Sequence, residues 1–284
     1  MTDLDERHEI HEADAVEARS KGARSRRRWI IAGLVVVTVV IGGAIGLRMW
    51  LTAPARTIGV SETVDRFRQS GGSTNSTGSS TPRPQAPADG VYVYDTAGQE
   101  SVDALGGDTH TYPSETAMTV TAEGCGYRIT WAPLSGRSES SLLCLRDGGV
   151  AIAESTTAHE FLRQSDEEHF ACDAGAWWLP PAGTTTWTTI CRTADRVSTR
   201  SAHVLATETL VIGGQSRDAI HVRYDDVLSA GSTGTTTSDL WLDRETGLVL
   251  KQHNEADTRN DSVIGVVVFR ERLDLTLRSV TPQR

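Results

Sequence analysis

Residues 125–144 read C-G-Y-R-I-T-W-A-P-L-S-G-R-S-E-S-S-L-L-C and give the clearest local sign of the fold. In its first half apolar and polar residues alternate, which places Cys125, Tyr127, Ile129 and Trp131 on one face of a strand. The sequence P-L-S-G at 133–136 predicts a turn. If the chain reverses there, Cys125 lies opposite Cys144. The stretch therefore predicts an antiparallel hairpin closed by a disulfide.

A second stretch repeats this spacing 47 residues later, since 172 − 125 = 47. It places Cys172 opposite Cys191 across a turn near 181–183. The sequence predicts the disulfides Cys125–Cys144 and Cys172–Cys191, although four cysteines allow three pairings. A zinc site would require C-x-x-C-like pairs, which this chain does not contain. The similarity of the two stretches indicates either an old duplication or a coincidence of spacing.

The remainder of the chain from residue 90 onward alternates in the same way, in short runs rich in Val, Thr, Tyr and Trp separated by Gly, Pro and Asp. Eleven runs are predicted strands: 91–95, 115–121, 126–131, 140–145, 150–155, 184–192, 203–211, 219–228, 236–242, 248–253 and 264–277. Their connections are too short for crossover helices. We expect an all-β fold, a curved antiparallel sheet forming a half-barrel, an open barrel or a sandwich.

An apolar run that begins at Trp29 and ends at Leu47 contains no charged residue and is long enough to cross a bilayer as a helix. Because arginines cluster just before it, the sequence predicts a single-pass plasma-membrane protein with a cytoplasmic N-terminus and an extracytoplasmic C-terminal domain. The alternative is a cleaved signal peptide, since Ala53 and Ala55 follow the run. Gly42 and Gly46 are spaced for a helix-mediated homodimer.

The predicted domain order is a charged cytoplasmic tail at 1–28, the transmembrane helix at 29–51, a juxtamembrane helix and disordered linker at 52–89, and the β domain at 90–284. The juxtamembrane helix is expected at 61–69, with Ser61 as its N-cap. The β domain has 16 Lys plus Arg and 27 Asp plus Glu, a net charge of 16 − 27 = −11. Such an acidic surface excludes nucleic acid as a partner.

The usage of basic residues, 26 Arg and two Lys, is typical of a GC-rich bacterial genome. The chain as a whole resembles uncharacterised actinobacterial single-pass membrane proteins. The run L-W-L-D-R-E-T-G-L-V-L at 240–250 resembles the hairpin of LolA/LppX-like periplasmic lipoprotein carriers and of RseB/MucB-like regulators. This resemblance implies a curved sheet around a hydrophobic cavity. Those families also place helices inside the half-barrel, whereas residues 90–284 contain no clear helical pattern.

Two carboxylates interrupt apolar rows of predicted strands, Asp226 in 219–228 and Glu271 in 264–277. A charge in an apolar row is costly unless it is paired or lies at a rim. Asp226, Glu271 and Trp241 are therefore candidate ligand-binding residues at the mouth of a cavity. The alternative is that the two carboxylates mark a β-bulge or a sheet edge.

The chain contains no recognised nucleophile or metal motif, and we predict no catalytic residue, metal or cofactor. His159, Glu160 and the acidic run 166–169 are interpreted as solvated loop, and the polar residues of 254–261 as a hairpin turn. The leading hypothesis is a non-catalytic envelope domain that binds or senses a lipid-like ligand. The alternatives are a protein-interaction or structural module of the envelope and an unrecognised hydrolase.

Overall fold

The computed structural model describes residues 55–71, 84–262 and 265–284. In these residues one helix, α1 (Val60–Gln69), precedes fourteen strands. The strands are β1 (Gly90–Val102), β2 (Asp108–Thr111), β3 (Glu115–Glu123), β4 (Gly126–Leu134), β5 (Arg137–Arg146), β6 (Gly149–Phe161), β7 (Gln164–Cys172), β8 (Trp177–Leu179), β9 (Thr186–Arg192), β10 (Val197–Ile212), β11 (Gln215–Ser229), β12 (Ser232–Asp243), β13 (Val249–Ser262) and β14 (Gly265–Leu277). The prediction of an all-β fold is confirmed.

Twelve of these strands form a closed antiparallel barrel. The strands follow one another around the wall in the order β1, β3, β4, β5, β6, β7, β9, β10, β11, β12, β13 and β14. Pairing of β14 with β1 closes the ring over nine residue pairs, from Tyr94–Leu277 to Val102–Phe269. Closure gives both terminal strands a partner on each side, so the half-open sheet expected from the sequence is corrected to a closed one.

Every predicted strand run overlaps an observed strand, but β2, β7 and β8 were not predicted. The polar run 166–169, interpreted as a loop, lies in β7, and His159 and Glu160 lie in β6. The residues 254–261 belong to β13 instead of a turn. Polar strands of this kind escape a search for apolar alternation, because both faces of the strand carry polar side chains.

Along the direction of the strands, the barrel interior has two halves, one apolar and one polar. One half is filled with apolar and aromatic side chains that are almost entirely buried, including Tyr92, Tyr94, Tyr127, Leu143, Leu242, Leu250 and Leu275. The phenol groups in this half donate to backbone carbonyls, Tyr94 to Val249 at 2.9 Å and Tyr127 to Thr246 at 2.9 Å. The other half carries charged and polar side chains, and it is the half that positions the candidate site.

The helix α1 packs on the outside of the barrel wall. Val64 and Phe67 are buried against Val91 and Ala117, which point outward from β1 and β3. The helix begins after Gly59, which makes no side-chain cap, so Ser61 is a helical residue and not the predicted N-cap. A helix outside the wall differs from the carrier families, whose helices lie within the sheet's curve.

Both predicted disulfides are confirmed, Cys125–Cys144 and Cys172–Cys191. The first joins a simple hairpin, β4 to β5. The second is not a simple hairpin, because β8 lies between its cysteines in sequence and pairs with β6. In the described part of the chain, Cys172 and Cys191 form one of only two residue pairs that join β7 to β9. The boundary between two neighbouring wall strands, or seam, is shortest between β7 and β9, and this disulfide joins the two strands there.

The helices of the described residues do not agree with the predicted membrane location. No helix of residues 55–71, 84–262 and 265–284 is long and apolar enough to cross a membrane. With ten residues, α1 is about half as long as a membrane-spanning helix must be. The assignment of a single-pass plasma-membrane protein is contradicted by this finding. The run from Trp29 to Leu47 on which it rested, with Gly42 and Gly46, lies outside the described residues.

Because the cysteines of both disulfides have the same sequence separation, the two bridges constrain the unfolded chain equally. We expect the double serine variants of either pair to lose about 3 kcal/mol of unfolding free energy from this source. Only the Cys172→Ser/Cys191→Ser variant should also exchange backbone amides faster in β7 and β9, as measured by hydrogen exchange. The Cys125→Ser/Cys144→Ser variant is the matched control. Equal exchange in both variants would contradict the role of this bridge at the seam.

Candidate functional site

The polar half of the interior is built from inward-facing positions of the wall strands. Glu100 of β1 and Glu271 of β14 lie directly opposite each other across the pair of strands that closes the ring. Opposed like charges on neighbouring strands repel. Both side chains are almost fully buried, so solvent cannot screen this repulsion. Closing the barrel at this level therefore requires a positively charged side chain close to both carboxylates.

Arg137 at the start of β5 supplies that cation. Its Nε lies 3.1 Å from Glu100 Oε2, and its Nη2 donates to Glu271 Oε1 at 2.9 Å. The same Nη2 also pairs with Glu139, two residues along β5. The guanidinium packs over the ring of Trp131 at 5.3 Å. Arg137 is almost fully buried, and the charges of the three carboxylates outweigh this burial and raise the pKa of its guanidinium, so it stays charged.

Glu271 is fully satisfied by further partners inside the barrel. Asn254 of β13 donates through Nδ2 to Glu271 Oε2 at 2.7 Å, and Ser238 of β12 donates to Asn254 Oδ1 at 2.6 Å. The hydroxyl of Tyr112 donates to Glu271 as well. Both oxygens of this buried carboxylate therefore accept a hydrogen bond inside the barrel.

Two histidines complete the surroundings of Glu100. His110 Nδ1 lies 3.3 Å from Glu100 Oε1 and His159 Nδ1 lies 3.0 Å from Oε2, so each ring can donate to the ionised carboxylate. Burial alone would raise the pKa of Glu100, but these hydrogen bonds and the charge of Arg137 outweigh it and lower the pKa to about 2. The hydrogen bond to Glu100 raises the pKa of His110 in turn.

A second charged pair faces the same interior from β10 and β11. Arg200 Nε donates to Asp226 at 2.9 Å and 3.1 Å, and the hydroxyl of Ser198 donates to Asp226 at 3.0 Å. The Arg200 guanidinium lies 5.2 Å from the ring centre of Tyr224. Burial acts to lower the pKa of Arg200, but the charge of Asp226, and more weakly that of Glu139, raise it.

Water reaches part of this polar interior. The side chains of Glu139 and Arg200 lie at inward-facing positions of the wall, yet they are 38% and 25% exposed. An inward-facing side chain that is exposed lines a part of the interior that is open to solvent. Glu139 is joined there by its cross-strand neighbour Thr157 of β6, which faces the same way and is also partly exposed.

The structure brings together two of the three residues predicted from the sequence. Asp226 and Glu271 both lie inside the barrel, each in a regular ladder with partners on both sides, so neither marks a bulge or an edge. Trp241 lies on the outer face, stacked on His221 at 4.1 Å. Leu240 and Leu242 point inward, so Trp241 between them must point outward. Whether any of the three binds a ligand stays a prediction.

Sequence reasoning missed Glu100, Arg137, Glu139 and Arg200. A usable signal existed for Glu100, because the inward row Tyr92, Tyr94 and Thr96 of β1 continues to it at every second residue. Arg137 follows the hairpin turn and gave no comparable signal. Its partners Glu100 and Glu271 lie on the first and last strands of the wall, far from β5 in the sequence, so only the closed barrel shows them.

A separate polar depression of about 430 Å³ lies at the other end of the barrel. It is lined by Ser216, Arg217, Asp218, Asp243, Arg244 and Glu245. Arg217 bonds Asp243 at 2.6 Å and Glu245 at 3.1 Å, and Asp243 also accepts the backbone amides of residues 245 and 246. These groups hydrogen-bond to one another, and together they stabilise the turn between β12 and β13.

No protein-family model and no curated protein sequence matches this chain. Among solved structures, the chain is similar to the crystal structure of the hypothetical lipoprotein YmcC from Escherichia coli. The identity is 10% and the TM-score 0.29, over 76% of this chain and 97% of that one. At this level of similarity the function must be argued from the residues of this chain.

The buried pairing of Arg137 leads to a stability prediction. We expect Arg137→Met to lower the free energy of unfolding by about 3–5 kcal/mol at neutral pH, because Glu100 and Glu271 would remain buried and opposed without their cation. Arg128→Met is the matched control, since Arg128 bonds Glu123 and Glu154 on the outer surface and should cost less than about 1 kcal/mol. Urea unfolding measures both. Equal losses would contradict the role assigned to Arg137.

The lowered pKa of Glu100 leads to a pH prediction. A carboxylate whose pKa falls on folding stabilises the protein above its ordinary pKa of 4.5, and this stabilisation is lost as the pH drops toward the folded value of about 2. Wild type should therefore lose about 3 kcal/mol more than Glu100→Gln over this range, at about 1.4 kcal/mol per pH unit. Urea unfolding at a series of pH values measures this. Parallel curves for the two proteins would contradict it.

Proposed function

We propose that this protein is a non-catalytic, extracytoplasmic binding protein that holds a small polar ligand inside its closed barrel. The single observation that carries the proposal is the pair of interior charges, Glu139 and Arg200, which water still reaches. Charged groups inside a protein are costly, and a hydrophobic replacement would serve stability as well or better. Their retention in a space open to water supports a binding role.

The lining of that space favours a polar ligand over the lipid-like ligand predicted from the sequence. The apolar half of the interior is filled by its own side chains, many of them less than 2% exposed. A hydrocarbon chain in the other half would lie against Glu139, Arg200 and Asp226 and would separate them from water, which is unfavourable. A lipid-like ligand stays a prediction that the experiment below tests.

Two further features support the proposal. The two disulfides are typical of proteins that fold in an oxidising compartment outside the cytoplasm. The carboxylates of the site are held in ion pairs and strong hydrogen bonds, and the pKa of Glu100 is about 2. A general acid or base works best with a pKa near the working pH, so this pairing favours binding over catalysis.

The test identifies what the protein carries when it is purified natively. The full chain is denatured, the released material is extracted in parallel into aqueous methanol and into chloroform and methanol, and both extracts are analysed by mass spectrometry. We expect a polar compound in near-stoichiometric amount in the aqueous extract. A co-purified lipid in the organic extract would instead favour the lipid-like ligand, and no compound in either extract would contradict a binding function.

A matched pair of variants ties the ligand to the interior. Thr157→Phe places a ring beside Glu139 inside the barrel, whereas Thr156→Phe places it on the outer face of the same strand, where Thr156 contacts His169. We expect Thr157→Phe to purify without the ligand and Thr156→Phe to retain it. Loss of the ligand from both variants, or from neither, would contradict a site at this level of the barrel.

A further inference from the structure

Two hydrogen-bonding groups inside the barrel have no partner in the described part of the chain. They are the indole Nε1 of Trp187 and the hydroxyl of Thr189, both buried at the atom concerned, and Thr189 is only 4% exposed as a residue. Two other atoms without a hydrogen bond, Arg137 Nε and Glu168 Oε1, belong to ion pairs. A buried donor without an acceptor is unfavourable, so each such group calls for an explanation.

The two groups are neighbours on one face of β9. Trp187 and Thr189 are two residues apart on a strand, so their side chains emerge on the same side about 7 Å apart. Thr189 pairs directly with Arg200 in the ladder to β10, and Trp187 pairs with Ala202. The side chain of Arg200 faces the interior, so Thr189 and Trp187 do too. Ala202 is fully buried and both polar atoms are enclosed in the free protein, so a ligand reaches them only when the Trp187 ring turns aside.

The charges nearest these donors lie in ion pairs, Arg200 with Asp226 and Glu139 with Arg137. Arg137 also pairs with Glu100 and Glu271, so carboxylates outnumber guanidiniums in this interior and an anionic ligand is disfavoured. Glu139 and Arg200 keep exposed atoms that can accept and donate further hydrogen bonds. A neutral ligand rich in groups that both donate and accept suits these atoms.

The Trp187 ring supplies the apolar part of the same surface. It meets the buried ring of Tyr224 edge to face, with centroids 5.9 Å apart and planes at 81°. The partly exposed Trp187 ring beside polar groups suits a ligand whose own surface alternates C–H groups and hydroxyls. A sugar hydroxyl can accept from Trp187 or Thr189, and another can donate to a carboxylate such as that of Glu139.

We propose that Trp187, Thr189, Arg200 and Glu139 form a saccharide-binding site inside the barrel, with Trp187 Nε1 and Thr189 Oγ1 donating to sugar hydroxyls. The inference rests on the proposed function and names the ligand class of that same interior space. The sugar is a free saccharide or one unit of a larger glycan. In both cases the part of the ligand that binds in the site is an uncharged sugar ring with its hydroxyl groups.

The test measures binding of named sugars to the full chain by isothermal titration calorimetry. The probes are glucose, galactose, mannose, arabinose and N-acetylglucosamine, together with maltotriose, mannotriose and chitotriose. Binding of a monosaccharide indicates a free sugar, and binding of a trisaccharide alone indicates a glycan segment. We expect Thr189→Val to weaken the bound sugar about tenfold, the loss of one hydrogen bond. Trp187→Phe should weaken it by at least as much.

Matched controls keep the result specific. Thr188→Val lies on the outer face of β9 next to Thr189, and Trp241→Phe removes an outward indole, so both should bind the sugar as wild type does. The free protein gives a second readout. Because the Thr189 hydroxyl has no partner among the described residues, Thr189→Val should leave the melting temperature unchanged or raise it. A lower melting temperature would show that the hydroxyl serves the fold, and would overturn the inference.

The remaining outcomes separate this inference from the proposed function. If no sugar binds while the aqueous extract of the native protein contains another polar compound, the saccharide assignment is overturned and the polar binding function stands. If no sugar binds and neither extract contains a compound, both fail. If a sugar binds with equal affinity to wild type, Thr189→Val and Trp187→Phe, its site lies elsewhere and the assignment to β9 is overturned.

Discussion

The ion pairs of Arg137 are the interaction on which the rest of the structure depends. Closing the barrel brings Glu100 and Glu271 face to face on β1 and β14. Two buried carboxylates at this separation would oppose closure, and a guanidinium from β5, across the interior, forms an ion pair with each and reduces their repulsion. The same contact therefore joins three strands that lie far apart in the sequence. It also makes the interior at this level polar.

The two halves of the interior contribute differently to the stability of the protein. The apolar half, with buried tyrosines whose hydroxyls are satisfied by backbone carbonyls, supplies the hydrophobic stabilisation that the ring of strands needs. In the polar half, Arg137, Glu100 and Glu271 are buried and paired, whereas Glu139 and Arg200 are paired but partly exposed, so the latter two add little to stability. This division explains why the polar residues are concentrated at one end. That end contains both the weakest seam, between β7 and β9, and the groups of Trp187 and Thr189 that lack a partner in the described chain.

Two seams of the wall, β1–β14 and β7–β9, are held together by different interactions. Nine residue pairs and the Arg137 cluster join β1 to β14. Among the described residues, two residue pairs, the Cys172–Cys191 disulfide and an ion pair of Arg196 with Glu168 join the region of β7 to β9 and its hairpin. A covalent bond at the shorter seam compensates for the missing ladder. The segment of β7 beyond this seam has no second wall strand in the described structure.

The sequence predicts eleven of the fourteen strands, the antiparallel class and both disulfides, because alternation and cysteine spacing are local signals that need no tertiary context. It does not predict β2, β7 or β8. It also pointed to Asp226 and Glu271 as charges out of place in apolar rows. Only the tertiary structure decided that the sheet closes, that an arginine from β5 neutralises Glu271, and that Trp241 faces outward. Closure and charge pairing join residues from opposite ends of the domain, and no local pattern records which distant side chains will meet.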